Sequence, residues 1–267
     1  MYKKITLLAL LTLSLNSVAE MNTLKKAING SQRSAEHKAR DIYRHPEKTL
    51  AFFDLQPSMT VVEIWPGGQA WYTEILAPYL KNHGKLYAAH FDENSVAPYF
   101  VKSLAQFKQK IAANPEVYGQ VIRTTLETSG KLKIAPDNSA DRILTFRNVH
   151  NWMKNGQAEN AFKIMYQALK TGGILGVVEH RNPVGTKQDP EALSGYVTEA
   201  YVIQLAEQAG FKLVAKSEIN ANPKDTHIHP QGVWSLPPSL KGEKTNKTNF
   251  IKIGESDRMT LKFIKPG

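Results

Sequence analysis

Short apolar segments alternate with amphipathic ones along most of the chain. The apolar segments are rich in β-branched residues and predict buried strands at 61–64, 85–90, 121–126, 141–149, 174–178, 211–219 and 259–264. Between them, apolar residues recur at the spacing of one helix face, which predicts helices over 71–80, 96–111, 157–169 and 196–209. Strands that alternate with helices predict an α/β fold, a single domain with one doubly wound, mostly parallel sheet of seven strands.

Two regions lie outside this alternation. Residues 20–57 are polar and helix-compatible, with Pro46 placed where a helix can begin, and we expect them to form a helical cover over the sheet. Residues 220–249 contain four prolines and show little periodicity. A long irregular segment in a compact domain is typically functional, so we expect a lid or substrate loop there.

Residues 1–19 have the pattern of a secretory signal peptide. Lys3 and Lys4 precede an apolar run over 5–15, and a small-residue cleavage site ends at Ala19. This apolar run is too short to span a bilayer as a stable helix. We therefore expect cleavage near Ala19 and an exported, periplasmic domain, 20–267, without an integral membrane segment.

Composition limits the classes of partner and chemistry. The chain of 267 residues has a formal net charge of +10 and no cysteine, which excludes disulfides, a cysteine nucleophile and a thiolate metal site. The lysines are scattered rather than clustered with aromatic residues. That pattern favours a solvated basic surface over a nucleic-acid interface, so we expect no nucleic-acid partner.

The stretch VVEIWPGGQAWY, residues 61–72, places a Pro-Gly-Gly turn between the first predicted strand and the first crossover helix. Such turns in α/β proteins bring backbone N–H groups and a helix N-terminus to a nucleotide-like ligand, and glycine permits close approach. Neither the G-x-G-x-x-G fingerprint nor the P-loop sequence is present. An ordinary strand-to-helix turn is the alternative interpretation.

Ligands of open parallel sheets bind beyond the carboxyl ends of the strands. Polar side chains stand at four of these predicted ends: Glu63, His90, Asp92, Arg147, Asn148, His150, Glu179, His180 and Arg181. Because these ends share one edge of the sheet, the pattern predicts a single polar ligand site.

Several of these features together resemble the class I S-adenosylmethionine-dependent methyltransferases. The segment EIWPGGQ, 63–69, stands where that family carries acid-x-Gly-x-Gly-x-Gly; Gly67 matches the middle glycine, whereas Trp65 and Gln69 replace the outer two. PDNSADRILTFRNVHNW and LKTGGILGVVEH look like the family's fourth-strand and fifth-strand regions. EIWPGG, FRNVHNW, VVEH and GESDRMTLKF, behind a signal peptide, are similar to an exported bacterial group of predicted methyltransferases.

The resemblance implies a Rossmann-like methyltransferase fold whose last strand, 259–264, runs antiparallel between the fifth and sixth strands. It also implies S-adenosylmethionine as the cofactor and a small-molecule substrate. The candidate cofactor-binding residues are Glu63, Trp65, Pro66, Gly67, Gly68, Tyr72, Asp92 and Arg147. The two glycines would admit the methionine part, Glu63 would orient the loop or hold the amino group, and Asp92, with His90 as the alternative, would meet the ribose hydroxyls.

Methyl transfer to an oxygen or nitrogen acceptor requires a group that removes a proton. His150 and His180 follow the fourth and fifth strands, so both are candidate catalytic bases, and Asn148 is a candidate for holding the acceptor. Arg147 is suited either to the acceptor or to the cofactor carboxylate. The structural alternatives are histidines that cap loops and a polar clamp at the sheet edge.

Other polar residues have structural interpretations. We expect Glu179 to pair with Arg181 or Arg258. His227 and His229 share one side of an extended segment, but no third ligand accompanies them in the sequence, so no metal site is predicted.

The leading hypothesis is therefore a methyltransferase that acts on a small molecule in the periplasm. A charged cofactor made in the cytosol does not cross the inner membrane unaided, which supports a catalytically inactive periplasmic binding protein on a methyltransferase-like scaffold as the alternative. A nicotinamide-dependent oxidoreductase is a third possibility, disfavoured by the missing fingerprint.

Overall fold

The computed structural model describes residues 23–127, 132–242 and 246–267. The predicted signal peptide, 1–19, lies outside the described residues, so it stays a prediction. Within the described ranges, no helix combines the length and the apolar character that crossing a bilayer requires.

Seven strands in these ranges form one sheet. They are β1 Thr60–Ile64, β2 Lys85–His90, β3 Val121–Thr125, β4 Ala140–Phe146, β5 Leu169–His180, β6 Lys212–Ser217 and β7 Arg258–Ile264. Their order is β3-β2-β1-β4-β5-β7-β6, and only β7 runs antiparallel to its neighbours. The predicted mostly parallel α/β sheet is confirmed, as is an antiparallel last strand between the fifth and sixth.

Helices cover both faces of the sheet. They are α1 at residues 23–29, α2 Ala35–Ala39, α3 Asp41–Arg44, α4 Pro46–Phe52, α5 Thr73–Leu80, α6 Pro98–Ala113, α7 Pro115–Tyr118, α8 Val149–Lys154, α9 Ala158–Ala168, α10 Glu199–Gln208 and α11 Lys247–Ile253. Pro46 occupies the first turn of α4, where a missing N–H costs nothing.

The hydrophobic core lies in two layers, one on each face. Consecutive residues of β1 contribute to different layers: Val61 packs with α4 and α5, whereas Val62 packs with α9 and α10. Successive strand side chains point to opposite faces, so a strand covered on both sides is apolar at nearly every position. Glu63 interrupts this pattern, and it stands at the end of β1 that faces the cavity described below.

β4 is shorter than the strand predicted over 141–149. It ends at Phe146, because Arg147 adopts the left-handed backbone conformation (φ 63°) and α8 begins at Val149. The final part of that prediction was wrong. Val149, the last apolar residue of the predicted strand, is the first residue of α8. Hydrophobic periodicity does not distinguish the end of a short strand from the start of a helix.

β5 is longer than predicted, because the Gly172-Gly173 pair lies within it rather than before it. The β4–β5 pairing shifts register between Ala140 and Arg142, beside these glycines. Gly172 has φ 77° and donates its N–H to the Lys265 carbonyl at 2.8 Å. The two glycines therefore belong to an irregularity within a strand.

The described part of the irregular region, 220–242 and 246–249, contains one 3₁₀ turn, η1 Gly232–Ser235, and the start of α11. Asp225 ties it to the body of the fold. Its carboxylate accepts from the Tyr196 hydroxyl at 2.8 Å and from the Asp257 N–H at 2.8 Å, and it pairs with His229 at 2.8 Å. His227 lies 3.5 Å from the Asp257 carboxylate. Both histidines of this segment thus contact a carboxylate at its anchor.

Candidate functional site

A cavity of about 680 Å³ opens at the carboxyl ends of β1, β4 and β5. Its walls combine the loop after β1, the residues after β4, the end of β5, the residues before β7 and the η1 segment. Among the sequence-predicted residues it brings together Glu63, Trp65, Pro66, Gly67, Tyr72, Arg147, Asn148, His150 and His180. Gly68 and Asp92 are not part of this lining.

The loop after β1 begins with a backbone conformation that residues other than glycine rarely adopt. Trp65 has φ 45°, although its N–H still bonds to the Ala89 carbonyl at 2.8 Å. Its indole packs between Phe91, Phe100 and Trp152, with ring centroids 4.7–5.6 Å away. The aromatic cluster therefore holds a bulky residue where glycine would be unstrained.

Gly67 needs glycine for its backbone angle, φ 70°. No atom lies within 4 Å of the place that a Cβ would occupy there, so this side of the loop is open. At Gly68, by contrast, a Cβ would meet the Gln106 side chain at 2.5 Å. Gly67 thus faces free space beside the cavity, whereas Gly68 packs against α6.

The buried Glu63 carboxylate accepts a hydrogen bond from the Thr73 hydroxyl at 2.6 Å, which joins the end of β1 to the start of α5. Burial raises the pKa of Glu63 to about 8, and the bonds from Thr73 offset only part of that effect. Tyr72 stacks on Phe146 at 3.6 Å, and burial raises its pKa to about 12. Both groups are therefore largely neutral at pH 7.

Asn148 holds the ends of β1 and β4 together. Its side-chain N–H group donates to the Ile64 carbonyl at 2.9 Å and to the Thr145 hydroxyl at 3.1 Å. The side chain is buried, yet it also borders the cavity.

Glu179, at the end of β5, is fully buried and orients His150. Nδ1 of His150 lies 3.0 Å from one carboxylate oxygen. The carboxylate also accepts the backbone N–H groups of Val149 at 2.6 Å, His180 at 2.8 Å and His150 at 3.4 Å. A carboxylate only accepts, so Nδ1 of His150 carries the hydrogen and Nε2 is left as the basic nitrogen.

His180 lies beside His150, with ring centroids 5.3 Å apart, and its Nδ1 shares a hydrogen bond with the Ser256 hydroxyl. Burial lowers the pKa of His180 well below its usual value, and the nearby His150 and Arg147 lower it further. A neutral imidazole of low basicity suits hydrogen bonding better than proton removal. Of the two candidate bases, the geometry favours His150.

His150, Glu179 and His180 also have ligand atoms within 4.8 Å of one another, which is close enough for one metal ion. Both oxygens of Glu179 already accept two N–H groups each. Metal binding there would break the bond to His150. The observed hydrogen bonds therefore favour an oriented histidine over a metal centre.

The two candidate ribose ligands near the end of β2, His90 and Asp92, do not line the cavity. Asp92 accepts from the Asn94 N–H at 2.9 Å in an exposed turn. His90 is buried against Phe107, its Nδ1 accepts the Phe91 N–H at 2.8 Å, and burial lowers its pKa to about 4. Neither side chain reaches the cavity wall in this structure.

Sequence reasoning missed the role of Glu179. It was expected to pair with Arg181 or Arg258, but Arg181 binds Asp257 at 2.8 Å and Arg258 binds Glu255 at 3.1 Å. A signal was available: Glu179 is a single acid that closes an apolar strand, and burial of such an acid requires several donors. Glu255, which precedes β7, also borders the cavity.

Comparison with solved structures identifies the fold. The chain is similar to a SAM-dependent methyltransferase from Aquifex aeolicus, with a TM-score of 0.54 and 18% identity over 92% of this chain and 98% of that one. It is also similar to the methyltransferase SibL, with a TM-score of 0.53 and 12% identity over 87% of this chain and 57% of that one. The chain thus has the class I, Rossmann-like methyltransferase fold.

A third similar structure is the cyclase SpnF, with a TM-score of 0.58 and 14% identity over 94% of this chain and 95% of that one. This fold therefore supports more than one chemistry, and the site must carry the functional argument. No protein-family model matches the chain, and no curated protein is significantly similar to it in sequence.

Proposed function

We propose that the protein is an S-adenosylmethionine-dependent methyltransferase that acts on a small-molecule acceptor. One observation carries the proposal: in a methyltransferase fold, the loop after β1 and the oriented His150 border the same cavity. A cofactor beside the first and an acceptor beside the second would therefore meet. Export to the periplasm remains a separate proposal, based on residues 1–19.

The lining fits the cofactor in volume and chemistry. About 680 Å³ lies within the range of sites that enclose a cofactor-sized ligand. The open side of Gly67 leaves room for close approach, and Phe91, Tyr99 and Phe100 provide flat apolar surface for a purine. Glu63, Trp65, Pro66, Gly67 and Tyr72 would form the binding wall, whereas Gly68 would support it from behind and Asp92 would have to turn inward.

When bound, the cofactor supplies an electrophilic methyl group on a sulfonium centre. The chain's own contribution is orientation and proton removal. Nδ1 of His150 donates to Glu179, so Nε2 accepts the proton that the acceptor's hydroxyl or amine loses. His180 stays neutral and, with Ser256, offers hydrogen bonds to the acceptor. Asn148 keeps β1 and β4, and thus the two halves of the cavity, in register.

Calorimetric titration with S-adenosylmethionine and S-adenosylhomocysteine tests the proposal, with NAD as the contrasting ligand. We expect micromolar binding of the first two and loss of it in Gly67→Arg, because the new side chain enters the open space of the site. Gly172→Arg is the matched control: it has a similar φ (77°) and open surroundings but stands at the opposite edge of the sheet.

Equal loss in both variants would mean that arginine at positive φ simply damages the fold. Absence of binding by folded wild-type protein would refute the methyltransferase and would favour the binding-protein alternative.

A further inference from the structure

Arg147 places a cationic side chain at the wall of the cavity. It follows β4 directly and borders the cavity. Its backbone N–H bonds to the Val178 carbonyl at 2.7 Å, which fixes the residue at φ 63°. Among the residues that the structure describes, no side chain forms a hydrogen bond or ion pair with its guanidinium group. Such a group in a partly enclosed site favours an anionic ligand.

Glu255 is the acid whose charge acts on Arg147, but its carboxylate already pairs with other arginines. Its carboxylate pairs with Arg40 at 2.7 Å, Arg44 at 3.1 Å and Arg258 at 3.1 Å. Three guanidinium groups thus share one carboxylate, and with Arg147 beside them the cluster holds an excess of positive charge. The same charges act on Arg44: burial, followed by the charge of Arg147, lowers the pKa of Arg44 to about 9.

The excess charge lies on the β4 side of the cavity. The wall proposed for the cofactor lies at the ends of β1 and β2. Arg147 follows β4, and the residues that it shares the cavity with on that side are His150, His180, Glu255 and Ser256, from the ends of β4, β5 and β7. An anion bound by Arg147 would therefore lie on the side of the base.

We infer that the methyl acceptor is a small anion whose carboxylate or phosphate is bound by Arg147. The inference rests on the proposed function and adds the substrate class. Arginine binds such groups through two parallel N–H donors, which orients as well as attracts the ligand. A hydroxyl or amine elsewhere on the same molecule would then face Nε2 of His150. Phe146 and Trp234, which also border the cavity, would enclose its apolar part.

The cofactor has a carboxylate of its own, so the test must distinguish two sources of the anion. Inorganic phosphate and formate serve as probes and are titrated calorimetrically into the purified protein, first alone and then with saturating S-adenosylhomocysteine. We expect one or both anions to bind in both series. Arg147→Gln should weaken this binding about tenfold or more, as expected for loss of a charge-assisted contact, while Arg147→Lys retains part of it.

The control is Arg123→Gln, which also removes one positive charge but lies on the exposed β3, paired with Glu93 at 3.0 Å. We expect anion binding in this variant to equal the wild type. Thermal unfolding establishes that each variant is folded.

Three results would overturn the inference. Anions that S-adenosylhomocysteine displaces, together with weaker binding of that ligand to Arg147→Gln, would assign Arg147 to the cofactor carboxylate. Binding of neither anion to the folded wild type would remove the anion site altogether. Equal weakening in Arg123→Gln would show attraction by net charge alone. If anions bind through Arg147 but S-adenosylhomocysteine does not bind at all, the anion site stands and the methyltransferase proposal fails.

Discussion

At the scale of single residues, the contact between His150 and Glu179 prepares the candidate base of the site. The carboxylate is fully buried, and the four N–H groups that it accepts fix its position. Because one of these groups belongs to the His150 ring, the same contact selects the tautomer of that ring. Glu179 is thus a positioning residue, and His150 is the candidate catalytic residue.

Glu179→Gln should disturb this tautomer. The amide N–H₂ of glutamine would face N–H groups that need an acceptor, so His150 would lose its single orientation. Two-bond ¹⁵N–¹H spectra should show the Nδ1–H form in wild type and a mixture in the variant. Once an acceptor is identified, we expect kcat of Glu179→Gln to be about 100-fold below that of the wild type, which is the effect of losing a general base.

Glu159→Gln, on the exposed part of α9, is the control for this experiment. An unchanged His150 spectrum in Glu179→Gln would contradict the positioning role. A purely structural role for Glu179 would lower the stability without altering the tautomer.

At the scale of elements, two neighbouring strands end in the same unusual way. Trp65 after β1 and Arg147 after β4 both have positive φ, 45° and 63°. Non-glycine residues in this region store strain of about 1 kcal/mol or more, which surrounding contacts must offset. For Trp65 the offset comes from the cluster with Phe91, Phe100 and Trp152.

Trp65→Gly should therefore destabilise the protein even though it relieves the backbone. Removal of a buried indole costs about 3–5 kcal/mol, and relief of the strain returns about 1 kcal/mol. We expect a net loss of about 3 kcal/mol in urea unfolding. Trp65→Phe, which keeps a ring in the cluster, should lose less than half of that. A variant Trp65→Gly as stable as wild type would show that the cluster contributes little.

At the scale of the whole molecule, the arginine cluster joins distant parts of the chain. Glu255 precedes β7, whereas Arg40, between α2 and α3, and Arg44, at the end of α3, lie more than 200 positions earlier. Arg258 also donates to the Tyr43 carbonyl at 2.7 Å, in α3. These contacts anchor α2 and α3 against the start of β7, beside the cavity.

Glu255→Gln should destabilise the fold by about 3–5 kcal/mol at pH 7, because it leaves the buried Arg44 and Arg258 and the partly buried Arg40 without their acid. The positive charges of Arg44, Arg258 and Arg40 overcome burial and hold the pKa of Glu255 well below its usual 4.5. For an acid whose pKa falls on folding, the stabilisation is complete above the usual value and is lost as pH falls toward the folded value.

The free energy of unfolding, measured in urea between about pH 6 and pH 3, should therefore decline more steeply for wild type than for Glu255→Gln. Equal slopes would show that Glu255 does not contribute to acid sensitivity.

The local periodicity of apolar residues was sufficient to predict the α/β class and most strands and helices. Burial of one or both faces of an element requires apolar residues at regular spacing in the sequence. The rule that ligands bind beyond strand ends then placed Glu63, Arg147, Asn148, His150 and His180 at one edge. The structure brings all five to one cavity. The predicted strand over 141–149 was too long, because Arg147 turns left-handed under constraints from a neighbouring strand.

Partners across the sheet could not be read in the same way. The bonds from Glu179 to His150, from Glu255 to Arg44 and from Asp225 to Tyr196 join residues that are 29 to 211 positions apart. Whether a strand-end side chain faces the cavity, as Glu63 does, or an outer turn, as Asp92 does, depends on the loop that follows. A burial pattern repeats over neighbouring residues, so the sequence by itself determines it. The partner of a buried polar group depends on how distant elements pack against each other, which only the tertiary structure decides.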